Sequence, residues 1–194
     1  MKLGVLVSGR GSNLEACLDA GLDVRVVISN RPHVRALAVA AARGVPAHVL
    51  RRGDFTDANA RDGAIARVLT DAGVGLAVLA GYDQLLRPAY FAAFGGRTVN
   101  VHPSLLPAHG GAGMMGLAVH RSVLACGDAE TGVTIHEVTP ELDAGPILAQ
   151  ARVRVLAGDD AEALAARVLV EEHRLLTETL RALARSAPAE VATA

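Results

Sequence analysis

The first half of the chain alternates short apolar runs with helical stretches that stop at glycine, and this alternation limits the folds open to it. Leu3 to Val7 is an apolar run fit for a buried strand, and Leu14 to Ala20 reads as a helix stopped at Gly21. "VRVVIS", Val24 to Ser29, is a second strand, ended by Asn30, Arg31 and Pro32. His33 to Ala42 is a helix closed near Gly44. "VPAHVL" is a third strand, Thr56 to Ala72 an amphipathic helix ending at Gly73, and "LAVLAG" a fourth strand. Strands and helices alternating at this spacing form βαβ units, which build a parallel sheet with helices on both faces.

The second half changes character. "RTVNVH", Arg97 to His102, is another strand, and "PSLLPAHGGAGMMG" follows it as a long loop rich in proline and glycine. Loops of this length are uncommon in compact domains and are often functional. Leu117 to Ala125 is a helix. "GVTIHEV" and "PILAQARVRV" read as two strands separated by Thr139 to Gly145, paired as an antiparallel extension. Asp159 or Asp160 caps a last long helix that runs to about Ala184. The expected fold is therefore α/β: a Rossmann-like, open, mostly parallel sheet with helices on both faces and an antiparallel C-terminal extension. A chain of 194 residues can bury a substantial core. A single domain is expected over 1–185, with a loose tail over 186–194.

Composition narrows the function classes. Lys plus Arg number 19 against 20 Asp plus Glu, so no basic surplus points to nucleic acid and no charged tail to a membrane surface. With no Trp, two Tyr and three Phe, the chain is poorly equipped to stack bases along a single strand. Cys17 and Cys126 stand far apart and in no CxxC arrangement, which reads as free thiols in an intracellular protein. The first apolar run breaks at Ser8 and Gly9, too early for a signal peptide. No run approaches the roughly 20 apolar residues of a membrane span. A cytoplasmic protein acting on small molecules is expected, as a monomer or homodimer, without nucleic-acid or membrane partners.

"VLVSGRGSNLEA" raises the question of a phosphate site. A dinucleotide fingerprint needs G-x-G-x-x-G, but Leu14 stands where the third glycine belongs, and the next strand ends in Ser29 and Asn30 rather than an acid. A P-loop needs G-K-[S/T], which is absent. A single phosphate at the helix N-terminus fits: Gly11 lets the backbone approach, while Ser12 and Asn13 offer donors beside free N–H groups. The alternative is that Ser12 or Asn13 only caps the helix.

"TVNVHPSLLP" places Asn100 and His102 on one face of a strand at its C-terminal end, where ligands bind in open α/β sheets. Asn supplies an amide donor for a developing oxyanion, and His a proton or positive charge near neutral pH. Asp143, in the sharply turning "ELDAGP", is a candidate partner for a histidine. His33, His48 and His136 show no partner in the sequence and read as structural or surface residues. His109 and His120 flank the Gly-rich loop. No pair has metal-ligand spacing, so no metal is expected. Ser8, Ser12 and Ser104 lack a nucleophile-elbow frame. Of Glu171 and Glu172, one can turn inward to a polar ligand.

Together these segments resemble the glycinamide ribonucleotide formyltransferases, folate-dependent enzymes of purine biosynthesis. "VLVSGRGSNLEA", "LAVLAGYDQLL", "VNVHPSLLP", "GDAETGVTIHEV", "ELDAGPILAQ" and "EEH" follow in that family's order, over essentially the whole chain. The resemblance implies that Gly11, Ser12 and Asn13 hold the ribonucleotide phosphate and that Glu172 binds the ribose. It implies Asn100, His102 and Asp143 as the catalytic group, and Asp83, Gln84, Leu85 and Leu86, with Asn100, as the folate contacts. It implies 10-formyltetrahydrofolate as co-substrate, its formyl carbon attacked directly by the glycinamide amine through a tetrahedral intermediate. Two family arginines are replaced, by Gln84 and by Ala58, with Arg61 about one turn on; His120 matches a family loop histidine. Methionyl-tRNA formyltransferases share the His-Pro-Ser-Leu-Leu-Pro and Leu-Asp-x-Gly segments, but with an extra C-terminal domain and a basic face. Formyltetrahydrofolate deformylases add an N-terminal regulatory domain. A non-catalytic nucleotide-binding module would keep the opening loop without needing Asn100, His102 and Asp143.

Overall fold

A computed structural model describes residues 1–186. Seven strands form one sheet in the order β3-β2-β1-β4-β5-β6-β7. They are β1 Leu3–Val7, β2 Val24–Ser29, β3 Ala47–Val49, β4 Leu76–Leu79, β5 Arg97–His102, β6 Glu130–Glu137 and β7 Ile147–Arg154. The first five run parallel, and β6 and β7 add in antiparallel fashion, as the sequence predicts.

Six α-helices cover the sheet: α1 Ser12–Asp19, α2 Arg35–Ala42, α3 Ala58–Asp71, α4 Pro88–Ala93, α5 Leu117–Cys126 and α6 Ala161–Ser186. Alternating side chains divide β1, β2 and β4 between two cores. Leu3, Val5 and Val7 of β1 pack with Leu14, Val123, Leu164 and Leu176. Leu6 points the other way, with Ile65, Leu69, Tyr90 and Phe94. Helices α1, α2, α5 and α6 thus cover one face, and α3 with α4 the other. Gly21, Gly44 and Gly73 follow their helices at φ 69°, 66° and 66°, the left-handed stops that glycine supplies without steric cost. Among the described residues no helix is long and apolar enough to cross a membrane.

Several boundaries differ from the sequence reading. His33 was expected in α2 but sits in a turn at φ 57°, which a right-handed helix cannot contain, so α2 starts at Arg35. The short helix α4 is not foreseen; Pro88 at its first turn starts it, and its six residues are too few to show a period. Asp160, not Asp159, caps α6 by accepting from the Ala163 amide at 2.7 Å, while Asp159 pairs with Arg167. Helix α6 continues through Ser186, the first residue assigned to the tail. The rest of the expected tail, 187–194, lies outside the described residues.

The antiparallel pair is packed tightly. A Cβ on Gly132 of β6 would stand 2.0 Å from the Ala151 carbonyl oxygen of β7. Gly132→Ala is expected to destabilise the protein by about 1–3 kcal/mol in urea unfolding. An unchanged midpoint would contradict this packing.

Candidate active site

Strands β1, β4 and β5 end at one edge of the sheet, and a cleft of about 860 Å³ opens above them. The turn after β1, the 80–86 stretch after β4, the end of β5, the 111–117 loop, the 138–143 turn and the inner face of α6 all line it. Every residue singled out in the sequence as catalytic, substrate-binding or folate-binding faces this cleft, namely Gly11, Ser12, Asn13, Asp83, Gln84, Leu85, Leu86, Asn100, His102, Asp143 and Glu172.

At one end lies the opening turn. Gly11 is the N-cap of α1 at φ 75°, and a Cβ there would meet the Ala36 Cβ at 2.6 Å, so glycine alone fits between α1 and α2. No side chain caps this helix. Neither Ser12 nor Asn13 acts as the cap considered above; the Asn13 amide instead donates to Glu172 Oε2 at 2.9 Å. The Glu15 amide is the first to find a helical acceptor, Gly11 O at 2.9 Å, so the earlier N–H groups stay open to an anion. Burial pushes the Glu172 carboxyl above the usual range, against the Asn13 hydrogen bond and the nearby Arg10 charge. Glu171 faces outward and pairs with Arg174.

In the middle, strand register assembles a polar cluster. Asn100 and His102 share a face of β5, and Asn100 lies directly opposite His136 of β6. The His136 Nδ1 donates to the Glu137 carbonyl at 2.8 Å, so its Nε2 accepts from Asn100 Nδ2 at 3.0 Å. That bond orients the Asn100 amide and leaves its second N–H free. Burial pushes the His136 pKa down, opposed by its backbone bond and by Asp143. His136 therefore belongs to the site rather than to the structural residues, a role visible only once the register of β6 is known.

Asp143 reaches the cluster from a turn in which its own φ is 52°. Its carboxylate stands 3.9 Å from His102 Nδ1 and 3.7 Å from His136 Nε2, and it accepts from the Gly111 amide at 2.8 Å. The His102 Nε2 donates to the His109 carbonyl at 2.9 Å. His120 adds a buried ring whose Nδ1 has no partner; burial and the neighbouring His102 push its pKa down.

The third wall is the stretch after β4. The Asp83 carboxylate accepts from Ser8 at 3.0 Å, from Asn30 at 2.6 Å and from Arg31. Arg61 is 3% exposed and holds the same stretch from below, donating to Gln84, to the Leu85 carbonyl at 3.1 Å and to Asp62 at 2.7 Å. Arg61 is thus a buried strut. Among the described residues no group of three or more His, Cys, Asp or Glu is placed to hold a metal ion.

An open α/β sheet with an Asn-x-His strand end facing an aspartate defines a class. Residues 1–180 match the formyl transferase family, and the chain belongs to that family. It is 39% identical over 181 residues to the phosphoribosylglycinamide formyltransferase of Escherichia coli, covering 90% of this chain and 83% of that protein. It is 40% identical to the chloroplastic phosphoribosylglycinamide formyltransferase of Arabidopsis thaliana, over 94% of this chain and 65% of that one. The crystal structure of glycinamide ribonucleotide transformylase 1 from Symbiobacterium toebii matches with a TM-score of 0.90 at 41% identity, covering 95% of this chain and 88% of that chain.

Partial burial of Glu172 in the cleft wall raises its carboxyl pKa. A raised folded pKa means that ionisation opposes folding. The penalty is absent below the ordinary glutamate value of about 4.3, grows as pH rises toward the folded value, and is constant above it. Glu172→Gln is therefore expected to melt higher than the parent at pH 7, with the gap closing below about pH 4. A gap that widens on acidification in thermal unfolding would contradict the assignment.

Proposed function

We propose that this protein transfers the formyl group of 10-formyltetrahydrofolate to the amine of N1-(5-phospho-D-ribosyl)glycinamide, yielding the N-formyl product and tetrahydrofolate on the route to IMP. One observation carries the reading: a single cleft joins an open helix N-terminus and a half-buried glutamate with a raised pKa to the Asn100, His102 and Asp143 cluster. That order matches a ligand with a phosphate at one end, a ribose next, and a nucleophilic amine beyond.

The open N–H groups of α1, with Ser12 and Asn13, bind the phosphate; Glu172 accepts from a ribose hydroxyl. Leu85, Leu86, Val138 and Leu142 give apolar surface for a pterin, and the Tyr82 hydroxyl is buried without a partner beside them. The Asp83–Leu86 stretch forms that wall, kept in shape by Asp83 and Arg61. These features suit 10-formyltetrahydrofolate, which supplies the formyl carbon. Because Arg61 is spent on Gln84 and Asp62, a glutamyl tail would have to be held elsewhere.

Asn100 donates its free N–H to the formyl oxygen as negative charge develops there, and His102 adds a second donor through Nδ1 when protonated. One such donor is worth roughly 2.7–4 kcal/mol. Asp143, facing His102 Nδ1, passes the amine proton toward the leaving nitrogen. No covalent enzyme intermediate is invoked: Cys17 is buried with its thiol pushed up to about 12, and neither cysteine lines the cleft. The proposal includes one domain acting on small molecules in the cytoplasm, as a monomer or homodimer.

A spectroscopic assay with a 10-formyltetrahydrofolate analogue and the ribonucleotide tests the reading. His102→Ala and Asp143→Ala should each lower kcat by on the order of 10²–10⁴, with ribonucleotide affinity little changed. Near-normal turnover in both would overturn the mechanism, and no turnover in the parent would overturn the function. The Ser12→Ala, Asn13→Ala double variant should instead weaken ribonucleotide binding; unchanged affinity would sink the phosphate assignment.

A further inference from the structure

Away from the cleft, three polar side chains form a closed set. His109 Nε2 lies 2.6 Å from Asp128 Oδ2, and His109 Nδ1 lies 2.8 Å from Ser122 Oγ. Ser122 belongs to α5, and Asp128 follows Gly127, the residue that ends it. Since a carboxylate only accepts, Nε2 carries a proton and donates to Asp128. Both ring nitrogens are therefore tied to one rigid helix. His109 itself does not line the cleft.

The backbone of this residue is unusual. His109 has φ 54°, a left-handed conformation that a side chain with a Cβ rarely adopts. Such a conformation persists only where the surroundings enforce it. The two ring bonds supply the enforcement from the α5 side. From the other side, the Ser104 hydroxyl donates to the Ala108 carbonyl at 2.6 Å, and the Leu106 amide donates to Thr134 of β6 at 3.0 Å.

Two contacts run from this turn into the candidate active site. The His109 carbonyl accepts from His102 Nε2 at 2.9 Å. Two residues on, the Gly111 amide donates to Asp143 Oδ2 at 2.8 Å. A carbonyl cannot donate, so the first contact fixes the proton of a neutral His102 on Nε2 and turns Nδ1 toward Asp143. The second fixes the carboxylate that faces it. One short turn thus aligns both groups.

We propose that the His109 ring, held between Ser122 and Asp128, is a positioning device for catalysis: it keeps the His109 carbonyl on His102 and the following amide on Asp143. Helix α5 and the reacting cluster are linked through this ring. The inference rests on the catalytic reading of His102 given above.

The variants are Asp128→Ala, Asp128→Asn and His109→Gly. Glycine accepts φ 54° without strain, so His109→Gly removes the ring while leaving the backbone conformation accessible. Asparagine can still accept from His109 Nε2. A misplacement of about 1 Å at a reacting group costs on the order of 100-fold. Asp128→Ala and His109→Gly should lower kcat by about tenfold to a hundredfold, with KM for both substrates and the melting temperature little changed. Asp128→Asn should retain most of the turnover. In ¹⁵N spectra of the free protein, recorded at alkaline pH where the ring is neutral, His102 should be the Nε2–H tautomer in the parent and a mixture in His109→Gly. Full turnover in His109→Gly, or a kcat loss in Asp128→Ala that Asp128→Asn does not rescue, would overturn the proposal. His102→Ala, measured alongside, separates the two readings. If it keeps normal turnover, the catalytic assignment of His102 fails. If it is inactive while His109→Gly and Asp128→Ala are normal, only the positioning role fails.

Discussion

Strand β5 is the constraint on which the site depends. It pairs parallel with β4 on one edge and antiparallel with β6 on the other. Because both edges are paired, its register cannot slip without moving its side chains to the opposite face. Thr98, Asn100 and His102 share one face, and Val99 and Val101 are buried on the other. Thr98 bonds the buried Tyr90 hydroxyl at 2.8 Å, which anchors the start of this row under α4. Beyond α4 the same row emerges into the cleft as Asn100 and His102. The apolar core therefore aims the polar groups into the cleft.

The antiparallel extension does more than widen the sheet. By lying opposite Asn100, His136 fixes the orientation of its amide; opposite His102, Thr134 ties down the loop that follows β5. Gln150 of β7 bonds both Thr134 and the Leu106 carbonyl, at 2.9 and 3.0 Å. The turn between β6 and β7 carries Asp143 back over the strand end. Here Gly145 is indispensable, since a Cβ would lie 1.9 Å from the Glu137 carbonyl oxygen. The two strands thus act as a frame that brings an acid, a histidine and a structured loop against one strand end.

Much of this is legible in the sequence. The glycine-stopped alternation determines the parallel half, and the Asn-x-His spacing places both side chains on one face. The open turn before α1 is recognisable from Gly11, although only the structure excludes a capping role for Ser12 and Asn13. What the sequence hides depends on register and on contacts between distant segments. His136 looks unpartnered because nothing in "GVTIHEV" says which residue of β5 it will face. The role of Arg61 is hidden because its partners, Gln84 and Leu85, lie on another segment. His109 stands in a Gly-rich loop with no visible partner, and Ser122 and Asp128 become its partners only when α5 folds back beside it.

The geometry sets the proposed formyl transfer where the β5 strand end meets the turn carrying Asp143. The most direct test is a crystal structure of the protein with the ribonucleotide and a non-transferable folate analogue. The phosphate is expected on the open amides of α1, the ribose at Glu172, and the acceptor amine within hydrogen-bond reach of the Asn100 and His102 pair. A phosphate bound away from Gly11 to Asn13, or an amine seated away from β5, would contradict this placement.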